Sequence, residues 1–219
     1  MSAILKTFGS ADEWRKARTS CIGGSDAACI IGENPYKSNV DLYEEKTGIK
    51  RPDDLSNNAF VNYGKKAEPL LRELFKLDFP DLQVNYIDNN IWLNDKYPFA
   101  HASLDGWLTD TQNGRNGILE IKTANISGAA QKAKWKDGIP QNYYVQVLHY
   151  FMVTEFDFAI IKAQLKYEIA GEEPFLHTRH YTIERADVES EIQYLAEKEA
   201  EFAEHIRTKT PPQLLLPEI

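Results

Sequence analysis

The segment "GILEIKTA", residues 117–124, limits the possible folds of this chain more than any other stretch. Ile118, Leu119 and Ile121, preceded by the turn-like run "TQNGRNG", read as a largely buried strand. Glu120 and Lys122 interrupt that apolar run, and the two-residue period of a strand puts both on one face. A charge set into core-like sequence is costly unless it is paired or coordinates something. An ion pair between the two neighbours is the plain structural reading. The same E-x-K spelling recurs at Glu44-Glu45-Lys46, within a polar helical run where exposed charge needs no explanation.

Asp105 changes the balance. It lies in "FAHASLDGWLTD", which reads as the preceding strand, and Asn113-Gly114 supplies the positive φ that a hairpin turn needs. Two antiparallel strands joined there bring Asp105 toward Glu120, and converging carboxylates repel unless a cation sits between them. Acidic and carbonyl oxygens with water suit Mg²⁺ or Mn²⁺. Such an ion acidifies a bound water and screens a scissile phosphate. Lys122 beside it can orient that water, help deprotonate it, or stabilise developing negative charge. In outline this is a phosphodiester hydrolase.

The remainder of the chain is consistent with a catalytic domain. Its 219 residues contain no Pro/Gly/Ser linker, so one domain over 1–219 is expected, with a helical part over about 10–78 and a sheet with helices over about 83–209. Charged residues make up 26% and hydrophobic ones 42%, and no apolar run approaches the ~18 residues that would suggest a membrane span. The start "MSAILKTFGS" lacks a basic and then apolar leader, which argues against secretion and points to the cytoplasm. Cys21 and Cys29, eight apart, form no C-x-x-C pair and read as reduced thiols. The formal net charge of −8 disfavours coating nucleic acid by bulk attraction. Carboxylates around metal ions inflate that sum, however, and basic residues cluster locally at Arg15/Lys16/Arg18, Lys65/Lys66 and Lys132/Lys134/Lys136.

Ser10 and Glu13 have the form of a capping box for a helix through about Arg18. "CIGGSDAACIIGENPYKS" gives a Gly-Gly turn, a short apolar helix capped by Ser25 or Asp26, and a stop at Gly32. Further helices are expected over Asn39–Lys46 and Ala59–Leu77, the latter kinked at Pro69 or broken after Glu68. A polar loop, "IKRPDDLSNN", separates them. "QVNYIDNNIWLN", "FAHASLDGWLTD" and "GILEIKTA" read as three strands. A helix opens at Pro140, "DFAIIKAQL" and "HTRHYTIER" are two more strands, and a helix over Asp187–Arg207 is ended by Pro211 and Pro212. The fold class is α/β, a mixed sheet flanked by helices.

The segments "YGKKAEPLLREL", "AHASLDGWL", "LEIKTA" and "YYVQVLHYFMVTE", in that order and spacing, resemble the PD-(D/E)xK nuclease superfamily. Within it they look like the branch of phage lambda exonuclease and the YqaJ-like viral recombinases. The resemblance runs from about Arg18 to Glu155 and implies a restriction-endonuclease-like core. By it, Asp105 and Glu120 are metal ligands, completed by Glu68 and the backbone carbonyl of Ile121, with two Mg²⁺ ions and Mn²⁺ as a substitute. Lys122 becomes the catalytic lysine, and Gln146 and Tyr150 match the Q-x-x-x-Y element, Gln146 positioning the metal site or the DNA backbone. "RTSCIGGSDAACIIG" matches a 5′-phosphate receptor, with Arg18 and Ser25 as its contacts and Ser103 as a further one near the metal. Leu104 departs from the proline that many relatives carry before the aspartate.

The implied activity is a Mg²⁺-dependent 5′→3′ exonuclease acting on double-stranded DNA with 5′-phosphorylated ends. Its implied partner is a single-strand annealing protein, and its implied assembly a homo-oligomer, a ring-shaped trimer around DNA. An endonuclease or structure-specific nuclease on the same core, and a catalytically silent nuclease fold that binds DNA or protein, are the competing readings.

Overall fold

The strand expected over 117–124 forms, and it is the long central strand of the sheet. The computed structural model describes residues 3–136, 138–168 and 173–215. In chain order its elements are β1 (Ile4–Thr7), α1 (Ala11–Thr19), β2 (Ile22–Gly23), α2 (Gly24–Ile30), α3 (Asn39–Lys46), α4 (Ala59–Asp78), β3 (Leu82–Asn85), β4 (Asn90–Leu93) and β5 (Ala100–His101). There follow β6 (Gly106–Asp110), β7 (Asn116–Ile126), α5 (Ala129–Lys134), α6 (Gln141–Thr154), β8 (Phe158–Tyr167), β9 (Phe175–Glu184) and α7 (Glu189–Thr208).

Five strands build the main sheet in the order β3-β6-β7-β8-β9. All neighbours are antiparallel except β7 and β8, which run parallel. A parallel step requires a crossover, and α6 provides it. Alternation along β7 then sorts its side chains. Ile118, with Ala159 and Ile161 of β8, joins the core beneath α6 and α7, where Val147, Phe151, Ile192 and Leu195 meet it. Leu119 and Ile121 face the other way and pack with Leu71 and Phe75 of α4. Glu120 and Lys122 share the Ile118 face, at positions where a buried aliphatic side chain would contribute about 1.5–3 kcal/mol.

Several expected elements are drawn differently. The strand expected over 83–94 is two, because Asn89 adopts a left-handed φ of 56° and turns the chain between β3 and β4. β4 pairs with β1, a four-residue strand whose exposed sequence carries no period to read. The strand expected over 99–110 is also broken. β5 pairs in parallel with β2, and β6 starts only at Gly106. The Asn90 side chain makes the break tolerable: its Oδ1 accepts from the Leu104 N–H and its Nδ2 donates to the Leu104 carbonyl, both at 2.9 Å, replacing bonds that a strand partner would have made.

α4 runs through Pro69 without a break, and Lys65, Pro69 and Leu70 lie on its exposed side, where water can take the carbonyl that proline leaves unpaired. Neither Ser25 nor Asp26 is the cap of α2. That position is Gly23, whose N–H donates to Asp26 Oδ2 at 3.0 Å, while Ser25 lies exposed inside the helix. α5 is under two turns long and had no apolar period. The turn at Gly114 (φ 75°), the stop at Gly32 (φ 79°) and the bounds of α3 are as expected.

Candidate active site

The site begins at the point where β6 begins. Register sets Gly106 opposite Leu119, so the pair beyond it would be Asp105 and Glu120, and there β7 has no strand partner on that edge. Ile121 is left with an N–H facing the notch, and Asp105 Oδ2 accepts it at 2.9 Å. A strand residue's N–H and C=O lie on the same edge, so the Ile121 carbonyl faces the notch as well. Arg72 reaches in from α4, donating through Nη1 to the Asp105 carbonyl and through Nη2 to Glu68 Oε1 at 3.2 Å. Glu68 and Arg72 are i,i+4 neighbours on one helix face.

From the other layer α6 closes the wall. Lys122 Nζ lies 2.6 Å from Glu120 Oε1 and donates to Gln146 Oε1 at 2.9 Å. Gln146 Nε2 donates to Glu120 Oε1 at 2.8 Å and to Tyr150 Oη at 2.7 Å. Glu120, Lys122 and Gln146 therefore fix one another, with Tyr150 behind them and the Lys122 ammonium 4.6 Å above the Tyr143 ring. The ion pair read from the sequence is present, but it uses only half of Glu120. The residue is 2% exposed, and its Oε2 is buried without any hydrogen-bond partner. Leaving such an oxygen unpaired costs about 1–3 kcal/mol or more.

The charge states follow from the crowding. Burial, reinforced by Asp105 and opposed by Lys122, pushes Glu120 up to about 8. Burial and Asp105 push Glu68 up to about 7 against the pull of Arg72. Asp105 is also raised, chiefly by burial, although Lys122 and the Ile121 N–H draw it back. Burial pulls Lys122 down, yet Glu120 and Asp105 outweigh it and hold the ammonium above its ordinary value. The site is a cluster of three acids with too little positive charge among them.

Among the described residues, no three His, Cys, Asp or Glu side chains are grouped so as to hold a metal ion by themselves. The expected set of Asp105, Glu120 and Glu68 is thus not a closed cage: Arg72 holds Glu68, the Ile121 N–H holds Asp105, and Lys122 holds Glu120. The chemistry of the donors still fits a hard divalent cation: Asp105 and Glu120 repel each other, the Ile121 carbonyl faces the notch, and Glu120 keeps an orphaned buried oxygen. Mg²⁺ or Mn²⁺ would be held there by Asp105, Glu120, the Ile121 carbonyl and water.

Arg18 and Ser25 come together in a cleft of about 300 Å³ that Arg15, Lys46 and His101 also line. The Arg18 guanidinium lies 4.4 Å over the Trp14 ring, and Trp14 Nε1 donates to the Asn90 carbonyl and to Ser103 Oγ. Ser103, whose hydroxyl donates to the Asn90 carbonyl at 2.6 Å, braces Trp14 and is not among the residues lining the cleft. Gly24 joins the two halves of the site. A Cβ there would lie 2.5 Å from Tyr150 Cε1 and 3.0 Å from Gln146 Cγ, so α2 can lie against α6 only because residue 24 lacks a side chain.

Sequence reasoning missed Arg72, Tyr143 and His101. Arg72 had a signal in its spacing from Glu68. The other two had none, because what they face is distant in sequence.

A family model for the YqaJ-like viral recombinase domain matches residues 13–157, a span that includes every expected site residue from Arg18 to Tyr150. The uncharacterized protein YqaJ of Bacillus subtilis (strain 168) is 33% identical over 145 residues, covering 66% of this chain and 42% of that protein. Protein D345L of African swine fever virus (strain Badajoz 1971 Vero-adapted) is 29% identical over 154 residues, 62% of this chain and 43% of that one. The chain thus matches less than half the length of these curated relatives. Among solved structures, the alkaline exonuclease LHK-Exo of Laribacter hongkongensis superposes with a TM-score of 0.59 at 16% identity, covering 91% of this chain and 96% of that one. A phage related exonuclease from Haemophilus somnus 129PT gives 0.56 at 15% identity, over 86% and 96%. These superpositions establish the shared fold alone, restriction-endonuclease-like as the four sequence segments implied. By the family model, the chain belongs to the YqaJ-like viral recombinase family.

Proposed function

We propose that this chain is a Mg²⁺-dependent deoxyribonuclease that degrades one strand of linear duplex DNA, 5′→3′, from 5′-phosphorylated ends. The observation that carries the reading is the buried, unpartnered Oε2 of Glu120 beside Asp105 and Lys122, at the open edge of a central strand. A divalent ion bound there would supply Lewis-acid stabilisation of the scissile phosphate and a more acidic water. The chain's own side chains account for positioning and charge. Lys122 offers a positive charge to the oxygens that become negative as the phosphodiester breaks. Gln146 keeps Lys122 and Glu120 in fixed relation, and Tyr150 keeps Gln146 in place.

Arg18, which has no ion pair among the described residues, supplies the charge that would hold a terminal phosphate, with Ser25 beside it. LHK-Exo, which has the same fold, has been crystallised with dAMP, a deoxynucleoside 5′-monophosphate and the class of product such a reaction releases. The reading extends to a homo-oligomer that encloses the duplex, since a net charge of −8 gives a single copy little bulk attraction for DNA. A single-strand annealing protein would receive the exposed strand.

The test is Mg²⁺-dependent degradation of a linear duplex with 5′-phosphates, the same duplex with 5′-hydroxyls, and a covalently closed circle. Fast loss of one strand from the first, slower loss from the second and an intact circle are expected. A cut circle would move the reading to an endonuclease on the same core. No cleavage with Mg²⁺ or Mn²⁺ would leave a silent nuclease fold.

A further inference from the structure

The cleft that holds Arg18 and Ser25 contains a group that the sequence did not single out. His101 is 3% exposed, and both of its ring nitrogens are buried without a hydrogen-bond partner. Buried imidazole nitrogens are ordinarily satisfied, so a ring with both left over indicates a missing partner.

The ring's position is tightly set. β5 pairs with β2 so that His101 stands opposite Gly23, and a Cβ at residue 23 would lie 2.9 Å from His101 Cε1 and 3.2 Å from Nε2. The Cε1–Nε2 edge therefore faces the turn that leads into Ser25. From behind, His149 Nε2 donates to the His101 carbonyl at 2.8 Å, and His149 Nδ1 is 2.7 Å from Glu199 Oε1. The backbone of His101 is thus held while its ring holds nothing.

Other polar groups lining the cleft are already committed. Lys46 lies 2.7 Å from Asp26 Oδ2 and also donates to the Cys21 carbonyl, Glu45 is paired with Lys37, and Arg15 with Asp12. Arg18, Ser25 and His101 remain: a charge stacked on Trp14, a hydroxyl, and a hydrogen-bonding ring.

We infer that His101 is a specificity residue for the 5′ end, its ring donating a hydrogen bond to a terminal oxygen of a phosphate held by Arg18 and Ser25. The inference rests on the phosphate-receptor part of the proposed function. Burial, with the positive surroundings of His149, Arg18 and Lys46, lowers the His101 pKa to about 3, so the free ring is neutral and keeps one N–H to give. A 5′-hydroxyl end brings no phosphate oxygen to that N–H and leaves the ring unpaired. A site built around a hydrogen bond rejects the analogue that lacks its partner.

The experiment uses the full chain with Mg²⁺ and the paired linear duplexes, and reads the ratio of rates on 5′-phosphorylated and 5′-hydroxyl ends. His101→Leu should lower that ratio about 10- to 100-fold, the worth of one hydrogen bond to a charged oxygen. His101→Gln, which places an amide N–H near the position of Nε2, should recover part of it. A wild-type ratio of one would defeat the receptor reading and this inference together. A clear wild-type preference that survives in His101→Leu would overturn the assignment of His101 alone. Because a substitution in so tight a place can prevent folding, the wild-type protein supplies a second readout: the ring nitrogen signals of His101 by NMR without divalent metal. They should shift on adding a short 5′-phosphorylated duplex and not its 5′-hydroxyl twin, and signals unmoved by either would overturn the assignment.

Discussion

Gly24→Ala tests whether the N-terminal helix and the catalytic helix are as tightly joined as the structure has them. The added Cβ would sit 2.5 Å from Tyr150 Cε1, where ordinary contact begins at 3.4 Å, so the ring or the helix must retreat by 3.4 − 2.5, about 0.9 Å. Tyr150 is buried in the core beneath α7 and has little freedom to retreat. Overpacking of this kind costs about 1–3 kcal/mol. For a chain of this size each kcal/mol lowers Tm by about 2–4 °C, giving a fall of about 2–12 °C. The functional loss should be larger. The Tyr150 ring, at Cε1 and Cζ, and Gln146 Cγ all meet the intruding carbon. Tyr150 Oη in turn accepts from Gln146, which positions Lys122 and Glu120. Displacing such a constellation by about 1 Å costs on the order of 100-fold in rate. Thermal unfolding followed by circular dichroism, together with cleavage of a linear 5′-phosphorylated duplex, measures both effects. Gly138→Ala is the control, since nothing lies within 4 Å of its added Cβ and a change within about 0.5 kcal/mol is expected. Wild-type Tm and wild-type cleavage in Gly24→Ala would refute the packing of α2 on α6 and the route from it to Lys122.

Lys122→Ala should fold and still bind Mn²⁺ while losing about 10²- to 10⁴-fold in turnover, and unchanged cleavage would remove Lys122 from the mechanism. Arg18→Ala should slow cleavage of 5′-phosphorylated ends more than of 5′-hydroxyl ends, equal losses pointing instead to general DNA binding. The raised Glu68 and Glu120 predict a pH dependence of the metal-free chain: the folded state keeps protons that the unfolded state releases near pH 4.5, so their contribution is full below that and is lost as pH rises through about 7 and 8. Urea midpoints should therefore fall between about pH 6 and about pH 9, less so in Glu120→Gln, and an equal fall in both proteins would show that the cluster is not the cause. Lys162, 1% exposed and 2.6 Å from a half-exposed Asp78, gives a test away from the site: Lys162→Met should be close to neutral, whereas Asp78→Ala leaves the buried ammonium without its acceptor and should cost about 1–3 kcal/mol. Equal stability of the two variants, read from urea midpoints, would mean that Lys162 reaches water.

The central strand, the hairpin at Asn113-Gly114 and the crossover helix were legible because each rests on a local rule: apolar run, turn chemistry, helical period. Glu120 and Lys122 were legible for the opposite reason, as violations of the run they sit in. What escaped was decided by partners far along the chain. The break between β5 and β6 depends on Asn90, which lies 14 residues from the Leu104 backbone that it satisfies. β1 is a strand because β4 pairs with it. The helix at 24–30 was read, but its cap was assigned to Ser25 or Asp26, when the cap is Gly23 and Asp26, in the first turn, accepts its N–H. Asp105 was expected on a strand, and its placement just before β6 is what frees its carboxylate for the Ile121 N–H.

The four elements that meet at the notch also settle when, during synthesis, the site can exist. Asp105, Glu120 and Lys122 are all in place in the sequence by residue 122, but β7 at that stage has only β6 along one edge. Gln146 arrives with α6, and the parallel partner β8, matched to β7 from Phe158 through Tyr167, comes later still. Parallel pairing between strands so far apart is intrinsically slow to form, because the intervening loop must close first. A nascent or truncated chain ending before β8 would carry every acid and the lysine yet lack the rigid platform that aligns them. Nucleic acid beside a nascent chain would then meet only separated side chains, and an aligned set of them once the whole sheet had closed.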